Sequence, residues 1–205
     1  MRYGMVIDMA RCVGCHTCSV ACKVANNLPN DIWWNRVLTI GGDNVDSPAG
    51  EFSNPSMDYL AVNCQHCENP PCVGTCPVGA TFKRSEDGIV VQNYDECIGC
   101  RLCMIACPYD VRSINSSKPE YQLDFAIGDA DAPAHQPNVV GKCTFCINRI
   151  GRGEVPACME LCPTRARFWG DLDNPESDVS KKLQEREVVQ LREEMDAKPN
   201  IYYLK

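Results

Sequence analysis

Glu96–Asp110 reads ECIGCRLCMIACPYD, with Cys97, Cys100, Cys103 and Cys107 crowded together and Pro108 directly after them. The same crowding occurs three more times. Cys12, Cys15, Cys18 and Cys22 lie in CVGCHTCSVAC, and Cys64, Cys67, Cys72 and Cys76 in CQHCENPPCVGTCP. Cys143, Cys146, Cys158 and Cys162 lie in CTFCINRIGRGEVPACMELCP. These four groups of four use all 16 cysteines.

Three chemistries compete for such thiols. Disulfides suit an even cysteine count but belong above all to small secreted chains. MRYGMVIDMARC at the N-terminus has no apolar segment followed by a small-residue cleavage site. Four-thiolate zinc sites also use paired CxxC. They give no reason for a third cysteine three residues on, a fourth four residues later, and then proline. The run C-x2-C-x2-C-x3-C-P is the bacterial 4Fe–4S pattern, in which the fourth cysteine ligates the other cluster of a pair. The third group matches it at every position. The first matches except for Lys23 in place of proline, and the second and fourth lengthen the middle. Gly14 and Gly99, inside their CxxC pairs, let backbone approach inorganic sulfide. The fourth cysteine is expected to open a helical stretch and point to the neighbouring cluster.

Groups one and three align as C-[VI]-G-C-x-x-C-x-x-A-C, and groups two and four align at CPVGA (76–80) and CPTRA (162–166). Groups two and three, with a strand-like IVV (89–91) after Asp87-Gly88, form one two-cluster unit over 61–110. Groups one and four are left to pair across it, as a unit built from 1–26 plus 141–172. The crossing rule then assigns Cys12, Cys15, Cys18 and Cys162 to one cluster, and Cys22, Cys143, Cys146 and Cys158 to a second. It assigns Cys64, Cys67, Cys72 and Cys107 to a third, and Cys76, Cys97, Cys100 and Cys103 to a fourth. The expected cofactors are four 4Fe–4S clusters. The expected fold is α+β: two bacterial-ferredoxin-like modules related by a pseudo-twofold axis, with loop-rich insertions.

The rest of the chain is sparser. Leu, Ile, Val and Phe supply only 44 of 205 residues, little apolar material for a core. The formal charge is −7 and no basic run stands out, which excludes the electrostatic footprint of nucleic-acid binding. No apolar stretch has the length of a membrane span. A protein of this kind working outside the cytoplasm is expected to travel with a partner that carries the export signal. Segments 27–60 and 111–140 read as insertions, the first with one short strand (36–40) and with Trp33 and Trp34 as loop anchors. His16 and His66 read as half-exposed loop residues. Lys23, Lys142, Arg149, Arg152, Arg165 and Arg167 flank the cysteine groups and would favour reduced clusters. Residues 173–205 read as a helix capped by Asn174 with Pro175 in its first position, then a strand at IYYL (201–204). Val179, Leu183, Leu191 and Met195 lie on one face of that helix, although REVVQL also suits a strand.

Four clusters in a chain with a diameter of roughly 40 Å would sit on the order of 10 Å apart, close enough to relay electrons. No P-loop, GxGxxG or GxSxG accompanies them. The chain therefore has no catalytic residue of its own to offer, and its redox partners lie outside it.

The motifs YGMVIDMARCVGCHTCSVACK, NCQHCENPPCVGTCPVGA, DGIVVQNYDECIGCRLCMIACPY, KCTFCINR with ACMELCPTRA, and KPNIYYL together resemble one family. It is the four-cluster iron–sulfur subunit of complex iron–sulfur molybdoenzymes, the dimethyl sulfoxide, polysulfide, tetrathionate and arsenate reductase type. The resemblance implies an electron-transfer subunit, the same ligand crossing, a catalytic subunit with a bis-pterin Mo or W centre, and an integral membrane anchor exchanging electrons with quinone. Membrane association would then run through partners, on either side of the membrane. A hydrogenase or formate dehydrogenase complex would use the same relay, and a structural zinc protein is the reading from another class.

Overall fold

A computed structural model describes residues 1–205. Its elements are short because cysteine loops interrupt the chain repeatedly. In order they are β1 (Tyr3–Asp8), α1 (Thr17–Ala25), β2 (Asn35–Ile40), β3 (Asp58–Asn63), α2 (Pro71–Gly74), β4 (Thr81–Lys83), β5 (Val90–Gln92) and α3 (Leu102–Ile105). There follow β6 (Arg112–Ile114), β7 (Val140–Lys142), α4 (Ile147–Gly151), α5 (Ala157–Glu160), β8 (Arg167–Asp171), α6 (Asp178–Lys182), β9 (Val188–Val189) and β10 (Ile201–Leu204).

The largest sheet has the order β8-β1-β10-β9. β1 runs antiparallel to β8 and parallel to β10, so the first and last strands of the chain lie side by side. Both read as near-continuous apolar runs, YGMVID and IYYL, as strands covered on both faces must. Three antiparallel pairs complete the strands: β2–β3, β4–β5 and β6–β7. The strand expected at 36–40 is β2, and IVV supplies β5, reached through a turn at Gly88 with φ +73°.

All four cysteine groups build the same local unit. The third cysteine is the second residue of a helix in each: Cys18 in α1, Cys72 in α2, Cys103 in α3 and Cys158 in α5. The fourth cysteine follows four residues later. It therefore closes a helical turn, and the expectation that it opens one is corrected. Pro77, Pro108 and Pro163 follow it in three groups and stop the helix, since proline lacks an N–H and clashes with the preceding turn. Lys23 removes that block in the first group, and α1 alone runs on for nine residues. The Lys23 ammonium then donates to the carbonyls of Pro29, Asn30 and Ile32 (2.6, 2.8 and 3.1 Å), fixing the start of the first insertion. Trp33 covers that ammonium at 4.4 Å, while Trp34 is the buried anchor.

The tail departs from its expected helix. Ser177, not Asn174, caps α6: its Oγ accepts from the Ser180 N–H at 3.2 Å, whereas Asn174 closes a turn onto Glu176. α6 stops at Lys182. Val179 is buried but Met195 is 54 % exposed, so the proposed helical face does not form. Val188 and Val189 pair instead with Leu204 and Tyr203, because the open edge of β10 offers backbone partners that a continued helix would leave unmatched.

Candidate metal centres

Every CxxC turn has its third residue in the left-handed region: Gly14 (φ +67°), His66 (+43°), Gly99 (+67°) and Phe145 (+54°). Glycine is needed at two of them for packing as well as for φ. A Cβ on Gly14 would fall 2.3 Å from the Tyr59 ring, and one on Gly99 2.2 Å from the Asn138 carbonyl oxygen. Left-handed backbone alone costs about 1–2 kcal/mol for an ordinary residue. Gly99→Ala is therefore expected to lose at least ~2 kcal/mol in denaturant unfolding of the loaded protein. Gly153→Ala, with φ +79° and open space around it, isolates the conformational cost and should lose less.

At the other two turns aromatic rings stand in for glycine and stack on each other, His66 on Phe145 with centroids 3.8 Å apart and planes 15° apart. The reading of His66 as half-exposed is thus overturned: it is 1 % exposed, and its Nδ1 accepts from the Val90 N–H at 3.2 Å. Mutual packing offsets the backbone strain of both residues. His16 keeps its half-exposed place.

The sixteen cysteines are all free thiols, which removes the disulfide reading. No three His, Cys, Asp or Glu side chains converge on the volume of a single metal ion. The thiols instead surround cavities. Cys22, Cys143, Cys146 and Cys158 line one of about 330 Å³ of atom-free space, beside Trp34, Asn35 and Asn63. Cys64, Cys67, Cys72 and Cys107 line a second of about 310 Å³, and Cys12, Cys15, Cys18 and Cys162 a third of about 350 Å³. Hollows each walled by four thiols, with no three converging on one ion's position, fit a group larger than one ion. Cys76, Cys97, Cys100 and Cys103 come from α3 and from the loops around α2 and α3, with Cys100 exposed and Cys103 buried.

The electrostatics agree with this fit. Burial pushes the Cys67 thiol up to about 12 and Cys146 to about 11, and raises Cys143 as well. Such thiols ionise only when a cationic centre is bound among them. In the second cavity the Tyr109 hydroxyl and Arg112 Nη2 are buried donors without a partner, as the wall of an anionic thiolate–sulfide group requires. Cys76 and Cys162 lie lower than an ordinary thiol. Burial opposes this, but the backbone N–H groups of Val78, Gly79, Ala80 and Thr81 surround the one, and those of Thr164 and Ala166 the other. The aligned segments CPVGA and CPTRA thus build equivalent amide cradles.

Neighbouring quartets come close in one order. Cys18 is near enough to Cys158 to oppose its ionisation, Cys64 does the same to Cys143, and Cys72 to Cys103. The flanking cations divide into two kinds. Arg149 and Arg152 are held by Asp129, Asp131, Glu154 and Glu160, a surface network tying the second insertion to α4 and α5. Arg165 is exposed. Lys142 and Arg167 are buried without a carboxylate partner; the Lys142 ammonium donates to the carbonyls of Val90 and Cys143. Arg112, Asn35, Asn63 and Tyr109 are further wall residues that the cysteine pattern does not flag. The one available signal is C-P-x-x-x-R, present at 107–112 and 162–167.

These cavities, free thiols and amide cradles define an iron–sulfur protein. The 4Fe-4S dicluster domain family matches residues 55–122 and 130–172, more than half of the chain, and the chain belongs to that family. A protein described as a dimethyl sulfoxide reductase iron–sulfur subunit, from Halobacterium salinarum, is 48 % identical over 99 % of this chain and 79 % of its own length. The arsenate respiratory reductase iron–sulfur subunit of Shewanella sp. is 36 % identical, covering 100 % of this chain and 97 % of itself. A tetrathionate reductase subunit of Salmonella typhimurium is 38 % identical, covering 99 % and 72 %. The sixteen cysteines fit four 4Fe–4S clusters.

Proposed function

We propose that this chain is the electron-relay subunit of a respiratory molybdoenzyme complex, passing electrons between a bis-pterin molybdenum or tungsten catalytic subunit and a second partner, an integral membrane anchor. Bound among the cysteines, each 4Fe–4S cluster supplies a centre that takes up and gives away one electron. The chain's own residues supply thiolates, amide donors and dry walls. The ligand sets are Cys12/Cys15/Cys18/Cys162, Cys22/Cys143/Cys146/Cys158, Cys64/Cys67/Cys72/Cys107 and Cys76/Cys97/Cys100/Cys103. The first two belong to a module formed by 1–26 and 141–172, the last two to a module at 61–110. The His66–Phe145 stack and the matching amide cradles support a twofold relation between the modules. Segments 27–60 and 111–140 are insertions, and 173–205 closes the sheet.

The observation that carries this reading is the unbroken succession of quartets: Arg167 and Asn35 link Cys158 to Cys18, Asn63 links Cys143 to the Cys64 carbonyl, and Cys72 packs with Cys103 in one buried cluster. At its two ends stand exposed thiols, Cys15 beside exposed Val13, and Cys100 beside exposed Ile98 and Leu102. Those apolar rims suit docking of a partner at each end. No helix is long and apolar enough to cross a membrane, so contact with a bilayer is assigned to the anchor. Purification of the chain with its native partners is expected to give about sixteen irons and as many sulfides per chain. A molybdopterin protein is expected in the same complex. Zinc without sulfide would overturn the relay, and a nickel-containing partner would move it to a hydrogenase.

A further inference from the structure

Two arginines occupy equivalent places. Arg112 lies five residues after Cys107 and Arg167 five after Cys162, each opening a strand, β6 and β8. Both are buried, 5 % and 3 % exposed, and neither has a carboxylate within salt-bridge distance. Their hydrogen-bond partners are neutral. Arg167 Nη2 donates to Asn35 Oδ1 (2.8 Å) and Nη1 to Asn63 Oδ1 (3.3 Å). Arg112 Nη1 donates to Thr81 Oγ1 (3.2 Å) and Gln92 Oε1 (3.1 Å). A buried cation without a counter-ion is costly, so its charge must be balanced by something else nearby.

The thiols are what remains. Arg167 lines the Cys12/Cys15/Cys18/Cys162 cavity and reaches Cys158 Sγ of the next quartet at 3.6 Å. Its two asparagines extend the contact, Asn35 Nδ2 donating to Cys18 Sγ at 3.1 Å and Asn63 Nδ2 to Cys143 Sγ at 3.8 Å. Arg112 lines the Cys64/Cys67/Cys72/Cys107 cavity with Nη2 free of any other partner, and stands near enough to Cys103 of the neighbouring quartet to favour its thiolate.

We propose that Arg112 and Arg167 are paired counter-ions, each set between the two clusters of one module and raising the reduction potentials of both while leaving the other module alone. This rests on the ligand sets proposed above. Reduction adds one electron to a cluster and neither forms nor breaks a bond. A fixed positive charge with no anion of its own therefore favours the reduced form of each neighbour. Both arginines are positioning residues, acting through thiolates and sulfides.

The test is a potentiometric EPR titration of the intact complex. Arg167→Gln is expected to lower two of the four one-electron waves by at least tenfold in the reduction equilibrium, ~59 mV. Arg112→Gln should lower the other two. Arg→Lys at either position, which keeps the charge, should restore most of the shift. Two nearly isosteric changes leave the arginines in place and supply the missing anion: Asn35→Asp should lower the Arg167 pair, and Gln92→Glu the Arg112 pair. They decide the matter if a glutamine variant does not assemble. Unmoved waves in a variant holding its full iron, a common shift of all four, or lysine variants as low as glutamine ones would overturn the proposal. A wild-type complex without sixteen irons would instead remove the ligand sets, a result that the iron count alone reveals.

Discussion

Cys143→Ser is expected to take the iron content of the purified complex from about sixteen to about twelve per chain and to cut electron flow through it. Cys143 is buried in the 21-residue central core, where its sulfur accepts from the Phe145 N–H at 3.5 Å and lies beside Asn63. It belongs to the proposed second ligand set, and Asn63 links it to the Cys64 carbonyl of the third. Loss there interrupts the succession in its interior, where no exposed route bypasses it. A dye reacting directly at the catalytic subunit should still be turned over, while reduction from the far end of the relay should stop. The same substitution at exposed Cys15 should leave the interior clusters able to exchange electrons with one another. Sixteen irons in the Cys143→Ser complex, with unimpaired end-to-end transfer, would remove Cys143 from the ligands.

Removal of iron is expected to unfold the chain altogether. Six cysteines, Cys18, Cys22, Cys64, Cys67, Cys143 and Cys158, sit in the central core of 21 residues, so three of the four quartets reach into the middle of the molecule. Stripped of its clusters, that core keeps three thiol-lined hollows and two buried guanidinium groups without an anion. A domain's net stability is about 5–15 kcal/mol, whereas one structural metal site contributes about 10–16 kcal/mol in small metal-folded domains. Loss of all four clusters together thus exceeds the whole stability. Oxidative destruction of the clusters with chelation, under conditions that then keep thiols reduced, should abolish the cooperative thermal transition and most far-UV circular dichroism. An apo protein melting within a few degrees of the loaded one would show that side-chain packing alone suffices.

The small apolar inventory already pointed to a core completed by something other than Leu, Ile, Val and Phe, and the buried cysteines identify it. The cysteine groups were legible because thiolate spacing is set by the cluster, a local constraint written into consecutive residues. The same is true of β2, β5 and β10, each a short β-rich run ended by turn residues. His66 and the cap and length of the tail helix were misread for the opposite reason. Nothing near His66 announces that Phe145 will cover its ring, and nothing in NPESD outweighs the pairing that β10 offers to Val188 and Val189.

Residue type and interval alone determined that this chain carries thiolate-bound clusters and has no motif for substrate chemistry, because ligation depends on local reach. Which quartets adjoin, which thiols are exposed, and that Arg112 and Arg167 stand uncompensated beside two quartets each were decided only by the tertiary structure. Those properties depend on distance and dielectric between segments far apart in the chain, and it is the packing of β1, β8 and β10 and the burial of the cysteine loops that create them.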